Sequence, residues 1–326
     1  MKRVIISNLI LVLVLLSSGC VQAQPTPELT PIRLPVGYIP NIQFAPLYVA
    51  IDKGYFKEAG LDVVLDYNME TDSVALLGAN QLQFAIVSGE QILLGRAQQL
   101  PVVYVMAWYQ QYPVGVTYKN SSGIQTISDL QGKHIGLPGT YGASYIGLEA
   151  LLFAGGLTDD DVFLDSIGFT QVEALATDRV DAVVSYIANE PIQLTAQGYD
   201  VTTMRTSDYL SLVANGLVTN EQTLQDNPDL VQNMVTALLK GLVYTSANPD
   251  EAYDISKKFI ENLAQADEVV QKEVLKTSIA LWQADRMGYS QPESWANMQD
   301  ILLRMNLLKA PLTLDEAFTN QFIPEP

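Results

Sequence analysis

Gly37–Val63 reads GYIPNIQFAPLYVAIDKGYFKEAGLDV, and the order of residue types in it decides the fold. The apolar run Ile32–Tyr38 reads as a strand, and Pro40-Asn41 closes it, because both residues favour turns. Ala45–Ala59 then keeps Leu47, Ala50 and Gly54 at helical spacing, with Tyr55 and Phe56 read as core contacts. Leu61–Tyr67 returns to a strand pattern. Strand, helix and strand in so short a span are the signature of an α/β architecture.

The same alternation continues outward. Further strands are predicted at Phe84–Val87, Val102–Trp108, Val114–Tyr118, His134–Leu137, Ala182–Ser185 and Leu212–Val218. Helices are predicted at Ser88–Arg96, Ser128–Gln131, Ala143–Ala154, Phe169–Thr177 and Pro191–Ala196. After Asn220 the pattern is almost purely helical. Asn227-Pro228, Asn248-Pro249 and Gln291-Pro292 each start a helix, and another covers Glu268–Trp282; proline suits a first turn. Two polar breaks, Lys119–Gly123 and Ala214-Asn215-Gly216, suggest that the chain crosses twice between two lobes. The expected division is therefore 32–118 for the first part of lobe one, 119–216 for lobe two, and 217–326 for the return and the C-terminal helices, with a ligand cleft between the lobes.

Ahead of this body, Lys2 and Arg3 precede an apolar stretch from Ile5 to Leu16, and Leu16-Ser17-Ser18-Gly19-Cys20 ends it. This is a signal-peptide pattern, too short for a comfortable membrane span. It fits an ordinary cleavage after a small residue. The placement of the sole cysteine directly behind Leu-Ser-Ser-Gly also resembles a bacterial lipobox, which implies cleavage after residue 19 and acylation of Cys20. Residues 20–31, rich in Pro, Thr and Gln, read as a tether. The expected location is outside the cytosol, at the cell membrane, facing the periplasm or the exterior.

Composition narrows the chemistry. The 326 residues carry 18 Lys+Arg against 36 Asp+Glu, a formal net charge of −18. Without a basic cluster, such a chain has no electrostatic attraction for nucleic acid. One Cys and one His exclude zinc fingers, disulfide scaffolds and Cys–His nucleophile pairs, and no metal site is expected. His134 falls in a strand core pattern.

Several motifs together carry a family resemblance. They are the Gly37–Val63 run, Phe84-Ala85-Ile86 with Ser88-Gly89, Ile127–Lys133 (ISDLQGK), Asp178–Ala182 (DRVDA), Asn215–Thr219 (NGLVT), and Asn227-Pro228 with Leu238–Gly241 (LLKG). Over roughly residues 32–260 the chain resembles the type II periplasmic binding proteins for sulfonate, nitrate, taurine and thiamine pyrimidines, together with the eukaryotic pyrimidine synthases. The resemblance implies a two-lobed α/β fold. It also implies work as the solute-binding part of an ABC importer, with a membrane permease and its ATPase as partners. An enzyme on the same scaffold is the alternative class. It would need paired groups of tuned pKa, and only the isolated Glu90 and Glu190 are visible.

In open α/β sheets ligands bind beyond the carboxyl ends of the strands, and five loops meet that condition. They hold the candidate ligand contacts: Tyr38, Asn41 and Phe44 in the first; Ser88 and Glu90 in the second; Trp108, Tyr109 and Gln110 in the third; Thr140, Tyr141 and Gly142 in the fourth; Tyr186, Asn189 and Glu190 in the fifth. Ser88 could equally cap its helix, Glu190 could serve a helix dipole, and Trp108 and Tyr109 could merely cover the sheet end. Gly139–Gly142 lacks the Lys-Ser/Thr tail of a phosphate loop.

Pyrimidine-binding relatives typically read Pro-Asn-x-x-His where this chain reads Pro40-Asn41-Ile42-Gln43-Phe44, and the Cys cluster of the synthases is absent. A phenyl ring in place of imidazole favours stacking over hydrogen bonding. None of the five loops contains Lys or Arg, which small anions would want. A planar heterocycle fits better. The resemblance is greatest to a lipoprotein branch of the family associated with riboflavin, and it implies riboflavin, carried as a transported ligand and not as a cofactor, with a hydroxymethyl- or formylamino-pyrimidine as the alternative.

Overall fold

A computed structural model describes residues 28–37 and 39–325. The expected signal sequence, Cys20, most of the expected tether and Tyr38 lie outside the described residues. The strands are β1 (Thr30–Val36), β2 (Leu61–Tyr67), β3 (Ala85–Val87), β4 (Val102–Ala107) and β5 (Val114–Lys119). They continue with β6 (His134–Leu137), β7 (Phe163–Ser166), β8 (Ala182–Tyr186), β9 (Val201–Arg205) and β10 (Gly216–Asn220).

These strands make two mixed sheets. The first runs β2-β1-β3-β10-β4 and the second β7-β6-β8-β5-β9. In the first, β1 lies parallel to β2 and β3, while β10 is antiparallel to both its neighbours. In the second, β6 is parallel to β7 and β8, and β5 is antiparallel to both of its partners. Strands β3 and β4 are buried along their whole length, as expected where helices cover both faces of a sheet.

The chain crosses between the sheets over 108–113 and returns over 206–215. The first crossing therefore precedes the break expected at 119: β5, read as the end of lobe one, belongs to the second sheet. A polar loop after a strand marks a turn, but only pairing partners tell which sheet that strand joins. The strand expected over Leu212–Val218 is regular only over Gly216–Asn220.

Other departures have local causes. The helix expected over Ala45–Ala59 is split into Ala45–Asp52 and Tyr55–Glu58. Gly54 sits at φ +78°, a left-handed conformation open to glycine that ends a regular helix. Phe56 is buried and Tyr55 packs partly buried against the core. Strands β7 and β9 were not expected; both are sheet edges with mostly half-exposed residues, so neither presents the apolar run of a buried strand. Helices Glu70–Gly78 and Glu221–Asp226 also lacked a clear signal. His134 is exposed, not core: its ring stacks on Phe163 and its Nδ1 lies 2.8 Å from Asp165.

The C-terminal helices braces the first sheet. Asn227 caps Pro228–Ala247 by accepting from Leu230 N–H, and Asp267 caps Glu268–Trp282 by accepting from Val269 and Val270. Trp295, on helix Pro292–Arg304, stacks on Phe318 and meets Tyr104 of β4 edge-on. Trp282 lies edge-on to both Trp108 and Tyr109. This indole layer places the end of β4 directly behind the cleft.

Candidate functional site

A cavity of about 1090 Å³, counting its mouth open to solvent, lies where the carboxyl ends of both sheets' parallel strands converge. All five expected loops reach it. Phe44, Trp108, Tyr109, Tyr141, Gly142, Tyr186, Asn189 and Glu190 line it. Five expected contacts do so less directly or not at all. Asn41 accepts from Gln43 N–H as a cap, Gln110 turns back toward Ala107 O, and Thr140 is exposed away from the cavity lining. Ser88 and Glu90 are fully buried just behind the lining. The Ser88 side chain makes no cap hydrogen bond; its hydroxyl is spent on two carboxylates.

The group that sequence reasoning missed is Glu70. It begins the helix after β2 and lines the cavity. Its Oε2 accepts from Ser88 N–H at 3.0 Å and Ser88 Oγ at 2.6 Å, and its Oε1 accepts from Asn215 Nδ2 at 3.0 Å. Gly37 makes the space, since a Cβ there would stand 2.3 Å from Glu70 Cγ. The strand-end rule that picked the other loops points to the segment after Tyr67 as well, but nothing local sets Glu70 apart from an ordinary first-turn carboxylate. Phe169 and Gln171 also line the cavity; they follow β7, an edge strand without an apolar signature.

Electrostatics follow from burial. Desolvation raises the Glu70 carboxyl, with the charge of an ionised Glu90 adding, and the donors from Ser88 and Asn215 oppose that rise. Burial likewise raises Glu90. Glu190 is pushed up to about 7 by desolvation, opposed by hydrogen bonds from backbone N–H groups and Asn189. Burial keeps Tyr109, Tyr112 and Tyr186 neutral. Tyr186 Oη donates to Asn215 Oδ1 at 3.3 Å, and Asn215 donates on to Glu70, so one hydrogen-bonded line joins the two walls.

No Lys, Arg or His is among the described lining residues, and no group of acidic, His or Cys side chains that could hold a metal ion is found among the described residues. The walls offer aromatic faces, amide edges and carboxylate acceptors. This arrangement suits a flat polar ring, and the described lining offers no cationic cradle for an anion.

Fold and site together define a solute-binding protein of the periplasmic-binding-protein type. The alkanesulfonate-binding protein SsuA of Xanthomonas axonopodis pv. citri has this fold, with a TM-score of 0.71 at 14% identity over 90% of this chain and 99% of that one. Residues 41–252 match the NMT1/THI5-like family, and the chain belongs to it. It is 41% identical to the riboflavin-binding protein RibY of Chloroflexus aurantiacus, covering 93% of this chain and 88% of that protein. It is 28% identical to a formylaminopyrimidine-binding protein of Halalkalibacterium halodurans, covering 97% and 98%.

Proposed function

We propose that this protein is the solute-binding lipoprotein of an ABC importer, capturing riboflavin as cargo and delivering it to a membrane permease and its ATPase. The observation that carries the reading is the cavity lining: Phe44, Tyr109, Tyr141, Phe169 and Tyr186 with amides and carboxylates, and no Lys, Arg or His among the described lining residues. An isoalloxazine offers a broad face to these rings, each good ring pair adding about 0.5–1.5 kcal/mol beyond burial. Its pyrimidine-like edge suits Glu70, Asn215, Asn189 and Glu190. The name of the 41% identical relative supports the same ligand.

A fluorescence titration tests it. Riboflavin added to the detergent-solubilised protein is expected to be quenched, saturably and at micromolar or lower concentration, by stacking beside indole and phenol rings. Trp108→Ala is expected to weaken it. Absence of quenching, alongside tight binding of 4-amino-5-hydroxymethyl-2-methylpyrimidine, would give the site to the pyrimidine reading, which the 28% identical relative supports. Turnover of either compound by the pure protein would instead make it an enzyme.

The lipid anchor is part of the proposal. Leu16-Ser17-Ser18-Gly19-Cys20 supports it, and attachment through an acylated Cys20 would hold the protein at the cell surface. Cys20→Ala is expected to move it from the membrane fraction to the soluble one. Retention in the membrane fraction would refute acylation at that thiol.

A further inference from the structure

The polar cluster beside the cavity has one proton fewer than its contacts require if both carboxylates are ionised. Ser88 Oγ lies 2.6 Å from Glu70 Oε2 and within hydrogen-bond reach of Glu90 Oε1. A serine hydroxyl has one proton to donate, and ionised carboxylates only accept. One of the two glutamates therefore carries a proton.

The surrounding donors decide which. Apart from the shared Ser88 hydroxyl, Glu70 takes two: Ser88 N–H on Oε2 and Asn215 Nδ2–H on Oε1. Glu90 is fully buried; its Oε1 has, besides Ser88, the Gln91 amide at 3.4 Å, and its Oε2 has no partner among the described residues. Donors stabilise a charged carboxylate, whereas burial without them expels the charge. The proton therefore sits on Glu90, which donates to Ser88 Oγ, which in turn donates to an ionised Glu70. With Glu90 neutral, its electrostatic push on Glu70 also disappears. A carboxylate accepts about four hydrogen bonds, so Oε1 of Glu70, a residue that lines the cavity, has capacity for one more.

We propose that Glu70 is a specificity-determining residue: an ionised acceptor, positioned by neutral Glu90 through Ser88, that selects ligands presenting an N–H and rejects those carrying negative charge. The titratable groups facing the cluster are Glu190 across the cavity and the neutral phenols of Tyr104, Tyr112 and Tyr186. This rests on the flavin reading for its first choice of probe; the charge assignment does not.

Infrared difference spectra of the ligand-free protein at neutral pH test that assignment directly. Glu90→Gln is expected to remove a carboxylic-acid carbonyl band that Glu70→Gln retains. Loss in Glu70→Gln with retention in Glu90→Gln, or retention in both, overturns it. Binding then tests selection. Loss of a hydrogen bond to a charged group predicts at least about tenfold weaker riboflavin binding by Glu70→Gln. Methylation of the flavin N3 is expected to weaken binding to the wild type and to cost little more in the variant, because both changes remove one contact. Additive losses would mean another group reads that N–H and would overturn the proposal. Flavin mononucleotide is expected to bind the wild type at least tenfold more weakly than riboflavin, with the gap narrowed in Glu70→Gln; equal binding to the wild type would also overturn it. Should the wild type bind no flavin, the flavin reading fails separately. The Glu70→Gln comparison then uses 4-amino-5-hydroxymethyl-2-methylpyrimidine, whose amine supplies the N–H, and unchanged affinity would overturn the proposal. Cooperative melting of each variant establishes that it is folded.

Discussion

The two walls of the cavity are built differently. The wall from the first sheet is continuous with the core: Trp108 is 1% exposed and Trp282 behind it 0%, and Phe44 meets Trp108 edge-on at 6.2 Å. The wall from the second sheet is carried on loops, with Tyr141 51% exposed and Phe169 55%. Rings buried in a packed core serve stability and position at once. Rings standing in solvent cost little to remove from the fold and gain burial when a ligand covers them. The first wall is therefore a fixed template, and the second supplies surface that ligand binding buries.

Substitutions sharpen that contrast. The largest effect is expected from Trp282→Ala, which empties the space behind Trp108 and Tyr109; a loss of about 3–5 kcal/mol in unfolding free energy, read by denaturant titration, is anticipated. A loss below about 1 kcal/mol would show that this wall is not continuous with the core.

A smaller effect concerns Glu190, fixed at the base of the second wall. Its carboxyl is raised to about 7, above the unfolded value, so the native state binds the extra proton. Stability from this group is fully present below the unfolded pKa and is lost as pH rises through the folded one, by at most about 1.4 kcal/mol per pH unit. Glu190→Gln should flatten the fall in melting temperature between acid and neutral pH. An unaltered profile would place the titration elsewhere.

The smallest effects belong to the solvent-facing rings. Tyr141→Ala is expected to shift unfolding by no more than about 0.5 kcal/mol. That substitution and Phe169→Ala should each weaken riboflavin binding by about 0.5–1.5 kcal/mol, measured by the quenching titration. Destabilisation as large as that of Trp282→Ala would erase the difference between the walls.

Within the cavity, the aromatic residues were legible because each follows a predicted strand, and five described rings named from the sequence line it. Glu70 was not. It sits in a polar stretch after Tyr67 and reads as an ordinary first-turn carboxylate; its partners Ser88 and Asn215 are 18 and 145 positions away. The depth of Trp108 was likewise invisible, because it depends on Trp282 from a distant helix.

What the sequence determined by itself was the alternation of strand and helix, the capped starts of the C-terminal helices and the set of loops at the strand ends. These follow from hydrophobic period and turn chemistry, which are local properties. Only the tertiary structure decided which sheet β5 joins, which rings are core and which are surface, and where a proton sits among Glu70, Ser88 and Glu90. Strand partners, burial and the supply of hydrogen-bond donors depend on segments far apart in the chain, and desolvation acts on a group only once those segments have closed around it.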